Sequence, residues 1–211
     1  MEFINLLENL INEYDGKITR RENGTLLLDC RPFPKCKHMI YPPLHKKTLE
    51  KYLVQAYKND FPKELLELLE YVNGFNLFFT KVNYEADFFA YNLFTVFGLP
   101  MTAPFARKPN MEEPHDITIE DLRRHKKTPN TWLKCGQYVK NFNFSEICDI
   151  FIDTKSNIVY SCDAFVNSKT TKNLTIIKEW PTLDACLCEI FNSVLECKEE
   201  YFWDRTANKT D

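Results

Sequence analysis

The sequence predicts an α+β fold: a mostly antiparallel sheet flanked by helices from the two ends of the chain. Three observations carry this. Residues 2–14 and 181–197 both show the stripe of an amphipathic helix. Two more stripes of the same period follow residue 45. Short β-rich runs separated by turn residues and a long loop recur between 92 and 180.

The elements follow in order. Phe3, Leu6, Leu7 and Leu10 fall at i, i+3, i+4 and i+7 and give the first helix. "TLLLDC", 25–30, is a short apolar run that reads as a strand. "RPFPKCKHMIYPPL", 31–44, carries Pro32, Pro34, Pro42 and Pro43, and is expected to be an extended connector rather than regular structure. Leu49, Tyr52, Leu53 and Ala56 mark one helix, and Leu65, Leu68, Leu69 and Val72 another. Pro62 suits the first turn of the latter, where its missing N–H costs nothing. Glu64 suits the positive end of the helix dipole. Asn73-Gly74 is expected to close that helix with a left-handed cap.

"NLFTVFGLP", 92–100, and "TWLKCGQYV", 131–139, are expected strands, the second broken at Gly136. The stretch 106–130 between them is proline-containing and charged, and reads as a long loop with one short helix at 117–125. "EICDIFID", 146–153, alternates, with Cys148, Ile150 and Ile152 on one face and Asp149, Phe151 and Asp153 on the other. "TKSN", 154–157, is a turn and "IVYSCDAF", 158–165, the return strand of a hairpin. "NLTIIKEW", 173–180, is a last strand before the closing helix, which Thr182 can cap. The segments expected are an N-terminal piece over 1–39, a main domain over 40–200 and a tail over 201–211.

Composition narrows the function. The chain has 211 residues, 44% of them hydrophobic, which suits one domain with a real core. The formal net charge of -3 supplies no basic footprint for nucleic acid. No apolar run is long enough to cross a bilayer. The start of the chain lacks the cationic and apolar regions of a signal peptide, so the expected location is the cytoplasm. The eight cysteines, irregularly spaced and without a C-x-x-C pair, are then expected to be reduced and mostly buried. The sequons at Asn23, Asn143, Asn173 and Asn208 are read as chance matches.

Motifs for phosphate cradling or a nucleophile elbow are absent, and five glycines leave little room for a phosphate loop. No cofactor is expected. Cys30, Cys36, His38 and His45 make a partial zinc set, but their spacing fits no known finger. Cys162 and His115 are a conceivable nucleophile and base with nothing in the sequence to mark them as activated. Surface histidines and core cysteines are the commoner use of both sets.

Binding candidates are more numerous. Glu112, Glu113, Asp116, Glu120 and Asp121 crowd a long loop, where binding function tends to sit. They are balanced by Arg107, Lys108, Arg123, Arg124, Lys126 and Lys127. Asp149, Asp153 and Asp163 lie on the 146–165 hairpin, where they can meet a cation or a basic partner, or simply face water. Trp203, beside Tyr201 and Phe202, is an aromatic anchor for a partner or a tail packed on its own domain.

The order of the central elements is similar to that of a known family. An extended "YPPL", a helix, "NDFP", a helix ending in "YVNGF" and strands with "LFTVFGLP" resemble the SUKH superfamily, which includes the cell-wall assembly regulator and many bacterial immunity proteins. The residues that carry the likeness are Phe61, Pro62, Leu69, Asn73 and Gly74, together with the "IFIDTKSNIVY" hairpin and the helix "LDACLCEIF". It covers roughly residues 40–196. The first forty residues, the long 101–130 loop and Gly74-Phe75 in place of a glycine pair depart from the family pattern. The resemblance implies a curved sheet and a binding protein rather than an enzyme. The partner it implies is a protein toxin, such as a nuclease with a basic groove, which carboxylates on this chain would meet. The alternative in another class is a regulatory scaffold that recruits cellular proteins.

Overall fold

The computed structural model describes residues 1–14, 16–29, 36–47, 49, 61–84, 87–98, 128–140, 147–163 and 175–196. These form three helices, α1 (Glu2–Asn12), α2 (Lys63–Tyr71) and α3 (Leu183–Glu196). The strands are β1 (Ile18–Arg20), β2 (Leu26–Asp29), β3 (Cys36–Ile40), β4 (Phe75–Tyr84), β5 (Asp87–Val96), β6 (Trp132–Val139), β7 (Ile147–Asp153), β8 (Val159–Asp163) and β9 (Ile176–Trp180). They make one open nine-stranded sheet in the order β1 to β9, every pair antiparallel. The α+β class is therefore the one expected.

The helices bury their stripes against one face of this sheet. Leu65, Leu68, Leu69 and Val72, the stripe read for α2, are all buried, as are Phe3 and Leu7 of α1 and Leu187, Ile190, Phe191 and Val194 of α3. Phe3 is the aromatic hub. Its ring centroid lies 5.4 Å from Phe75, 6.1 Å from Phe94 and 5.8 Å from Phe191, so a helix at the start of the chain touches β4, β5 and α3. The two ends of the chain are also joined by hydrogen bonds. The Asp184 carboxylate at the start of α3 accepts the backbone N–H groups of Glu2 and Phe3, each at 2.9 Å, and so satisfies free donors at the α1 N-terminus. Thr182 Oγ1 accepts the Ala185 N–H at 3.1 Å, the cap expected for α3.

The proline-rich stretch read as a connector contains β3. Pro42 lies just past the strand's end, so Cys36–Ile40 keeps the N–H groups it needs to pair with β2 and β4. Likewise, Asn73-Gly74 does not close α2 as expected. Val72 already has extended backbone, φ -140° and ψ 139°, and ends the helix itself. Gly74, at φ 82°, instead turns the chain into β4 where it crosses the end of β5. A Cβ there would stand 2.6 Å from Gly98 N and Val96 O. The first helix after the connector, read over 49–56, lies outside the described residues except for Leu49, which is buried.

A bulge in β4 sets the core above β3. The β3–β4 register slips by one residue between Lys37 and Met39. Phe78 takes φ 57°, a conformation that costs a bulky residue about 1–3 kcal/mol. In return Leu77 and Phe78, although consecutive, are both fully buried. The Phe78 N–H donates to His38 Nδ1 at 3.1 Å, and the two rings meet edge to face at 4.7 Å.

His38 is fully buried, and desolvation lowers its pKa from 6.5 to about 3. The unfolded chain thus takes up a proton near pH 6.5 that the folded chain refuses until about pH 3. Stability from this group is complete above pH 6.5 and is lost as pH falls through that window, at about 1.4 kcal/mol per pH unit. Urea titrations at pH 6.5 and 5.0 are expected to show a loss of about 2 kcal/mol from His38. His38→Asn, which keeps an acceptor near the place of Nδ1, should remove that part of the pH dependence.

Candidate functional site

The other sheet face carries a polar row that crosses five strands. Strand alternation and register bring Asn76, Thr95, Gln137, Asp149 and Cys162 side by side from β4 to β8. Thr95 Oγ1 donates to Asn76 Oδ1 at 2.9 Å, and Asn76 Nδ2 donates to the Tyr41 hydroxyl at 3.4 Å. Gln137 Nε2 donates to Asp149 Oδ1 at 2.6 Å, and Lys134 Nζ sits 2.7 Å from the same oxygen.

Asp149 is therefore not the solvent-facing carboxylate that the alternation of 146–153 suggested. It is 3% exposed and neutralised by its neighbours on β6. A buried carboxylate held by an ammonium and an amide serves the sheet, because removing the ammonium leaves a buried charge uncompensated and removing the amide leaves it short of a hydrogen bond. Lys134 in turn stands over the Phe97 ring at 5.6 Å.

Next to this row is an aromatic platform. Trp132 on β6 and Tyr160 on β8 reach toward each other across β7 and stack at 4.2 Å with an interplanar angle of 11°. Phe151 on β7 lies 5.9 Å from Trp132. Trp132 and Tyr160 are half-buried, whereas Phe151 is buried. Asp153 pairs with Trp132 in the β6–β7 register, and Glu179 pairs with Tyr160 in the β8–β9 register. Partial burial and then the negative charges of Glu179 and Asp153 raise the Tyr160 pKa above the ordinary phenol value. Asp153 also orders the hairpin turn: its Oδ1 accepts the Lys155 N–H at 3.0 Å, and its carbonyl accepts the Asn157 N–H at 2.8 Å.

Among the described residues β9 is the last strand of the sheet and pairs with β8 on one side. It presents Ile176 and Ile177 to solvent at 50% and 38% exposure. The register slips between Ser161 and Cys162, which places both isoleucines outside the core.

Of the other residues singled out in the sequence, Cys162 is buried, and desolvation followed by the Asp149 charge pushes its thiol up to about 12. That is the reverse of what a thiolate nucleophile requires. His115 lies outside the described residues, as do Glu112, Glu113, Asp116, Glu120, Asp121 and Trp203. Asp163 is half-buried at the end of β8. His38 and His45 occupy different environments: His38 is in the core, while His45 is exposed and accepts the Lys47 N–H on Nδ1. Among the described residues no three His, Cys, Asp or Glu side chains gather as metal ligands do. Nor is any helix among them long and apolar enough to cross a membrane.

Sequence reasoning missed Trp132, Tyr160 and Glu179. Each belongs to a different strand, and only the register across β7 and β8 unites them. Comparison with family models, with curated proteins and with solved structures finds no match for this chain.

Proposed function

We propose that the protein works by binding another protein through β9 and the aromatic platform beside it. The observation that carries this reading is the β9 edge. An edge strand offers a row of backbone N–H and C=O groups to an incoming strand. Natural proteins usually protect such edges with charge or cover. This strand carries exposed Lys178 and Glu179, yet it also shows two isoleucines to solvent, next to a half-buried Trp–Tyr stack. Apolar edge and aromatic anchor together are the composition of an interface centre.

The resemblance of residues 40–196 to the SUKH superfamily supports a narrower reading, an immunity protein that neutralises a toxin by direct contact. A basic nuclease is the partner favoured by the carboxylates around the platform. Cys135, Cys148, Cys162, Cys186 and Cys188 are not joined in disulfides, which fits action in the reducing cytoplasm.

Co-expression tests the proposal. The chain should restore growth to cells making the toxin encoded beside its gene, and should copurify with that toxin in a stoichiometric complex. Ile177→Lys, which charges the exposed edge, should weaken the complex at least about tenfold, the equivalent of 1.4 kcal/mol, without altering the thermal midpoint. Continued growth arrest with every adjacent toxin-like gene would refute the immunity reading.

A further inference from the structure

We propose that the Trp132–Tyr160 stack, with Asp153 and Glu179 beside it, is a receptor for an arginine side chain of the protein partner. The inference rests on the binding reading above and names the chemistry that this surface recognises.

The argument begins with the rings. Trp132 and Tyr160 stack nearly parallel at 4.2 Å, which uses one face of the Tyr160 ring, and both residues keep part of their surface exposed, where a third planar group would join the stack. A guanidinium is planar, weakly hydrated and drawn to the negative face of an aromatic ring. Carboxylates complete the fit. Glu179 is exposed and directly opposite Tyr160 in the register, and among the described residues no cation pairs with it. Asp153 is half-buried opposite Trp132 and already accepts the Lys155 N–H, which fixes the direction of its carboxyl group. Two carboxylates beside one stack set a negative potential, and an arginine fork can bond one of them while its plane lies on Tyr160.

Among the described residues, the nearby cations do not fill this place. Lys134 is bound to Asp149 in the polar row. Lys178 is on the helix-bearing face, where it pairs with Glu189 of α3 and stands 5.3 Å from the centre of the Trp180 ring. Lys155 is in the β7–β8 turn, exposed. A lysine ammonium lacks the plane that stacking needs, so the site prefers arginine to lysine.

The test is a nuclear magnetic resonance titration of the full chain with three hexapeptides, of arginine, of lysine and of citrulline, the uncharged isostere of arginine. The readout is the Trp132 indole N–H signal, identified by its loss in Trp132→Phe. The arginine peptide should shift this signal saturably, with the lysine peptide at least about tenfold weaker and citrulline without effect. The isosteric pair Glu179→Gln and Asp153→Asn, which keeps the turn acceptor, should weaken arginine binding at least about tenfold. An equal response to lysine, or full arginine affinity in the double variant, would overturn the proposal. The two readings part cleanly. Toxin rescue by a protein whose Trp132 ignores arginine defeats this inference alone. An arginine response without rescue by any adjacent toxin leaves it standing and defeats the immunity reading.

Discussion

Phe3→Ala is expected to lower the unfolding free energy by about 3–5 kcal/mol, the usual cost of deleting a buried aromatic side chain. The ring is fully buried and meets Phe75, Phe94 and Phe191 at once, so its removal opens a cavity bounded by two strands and the last helix. Those walls cannot easily close. Phe75 and Phe94 are held by the β4–β5 ladder and face each other at 5.2 Å, and Phe191 is fixed in α3. Urea unfolding followed by far-ultraviolet circular dichroism and by tryptophan fluorescence is the measurement. One transition, shifted equally for both probes, would show that the segment over 1–39 belongs to the same cooperative unit as the rest. An unshifted midpoint would mean that α1 adds nothing to the core it contacts.

The second large effect belongs to a glycine. A Cβ on Gly98 would stand 2.0 Å from the Asn73 carbonyl oxygen, a contact with backbone rather than with a movable side chain. Gly74, its neighbour across the same crossing, already requires φ 82°. The two glycines let the α2–β4 turn lie directly against the end of β5. Gly98→Ala must therefore push apart two strands, and is expected to destabilise by about 3 kcal/mol or more, beyond ordinary overpacking. Gly74→Ala combines a left-handed backbone, worth about 1–2 kcal/mol for an L-residue, with contacts of 2.6 Å. Thermal and urea midpoints of both variants check this, and wild-type midpoints for Gly98→Ala would show that the crossing is loose.

How much of this could be read in the sequence depended on the range of the interaction. Helices α1, α2 and α3 were legible because their stripes are local, and Leu65, Leu68 and Leu69 are buried as the spacing required. The β7–β8 hairpin was legible for the same reason: Asp153 to Asn157 makes its own turn. β3 was not, because prolines near a strand look like prolines within one. Nor was the bulge at Phe78, where a bulky residue adopts a backbone that its type disfavours. Asp149 read as solvated because alternation cannot show which residues the neighbouring strand will place opposite it. Lys134 and Gln137 are those residues, and register alone delivers them. The acidic set of the 106–130 loop and Trp203 lie outside the described residues, so the partner-binding surface argued above rests on different side chains.

The strand order has a consequence for how the chain is made. Because every strand pairs with its immediate predecessor, the sheet can grow by successive hairpins as the ribosome delivers it, with short loop closures at most steps. The N-terminal helix is the exception. Its capping carboxylate, Asp184, and its ring neighbour Phe191 lie far along the chain, Asp184 being 182 residues after Glu2. Until α3 has been synthesised, the apolar stripe of α1 therefore waits without those partners, and for that interval the nascent chain is exposed to chaperones and to aggregation.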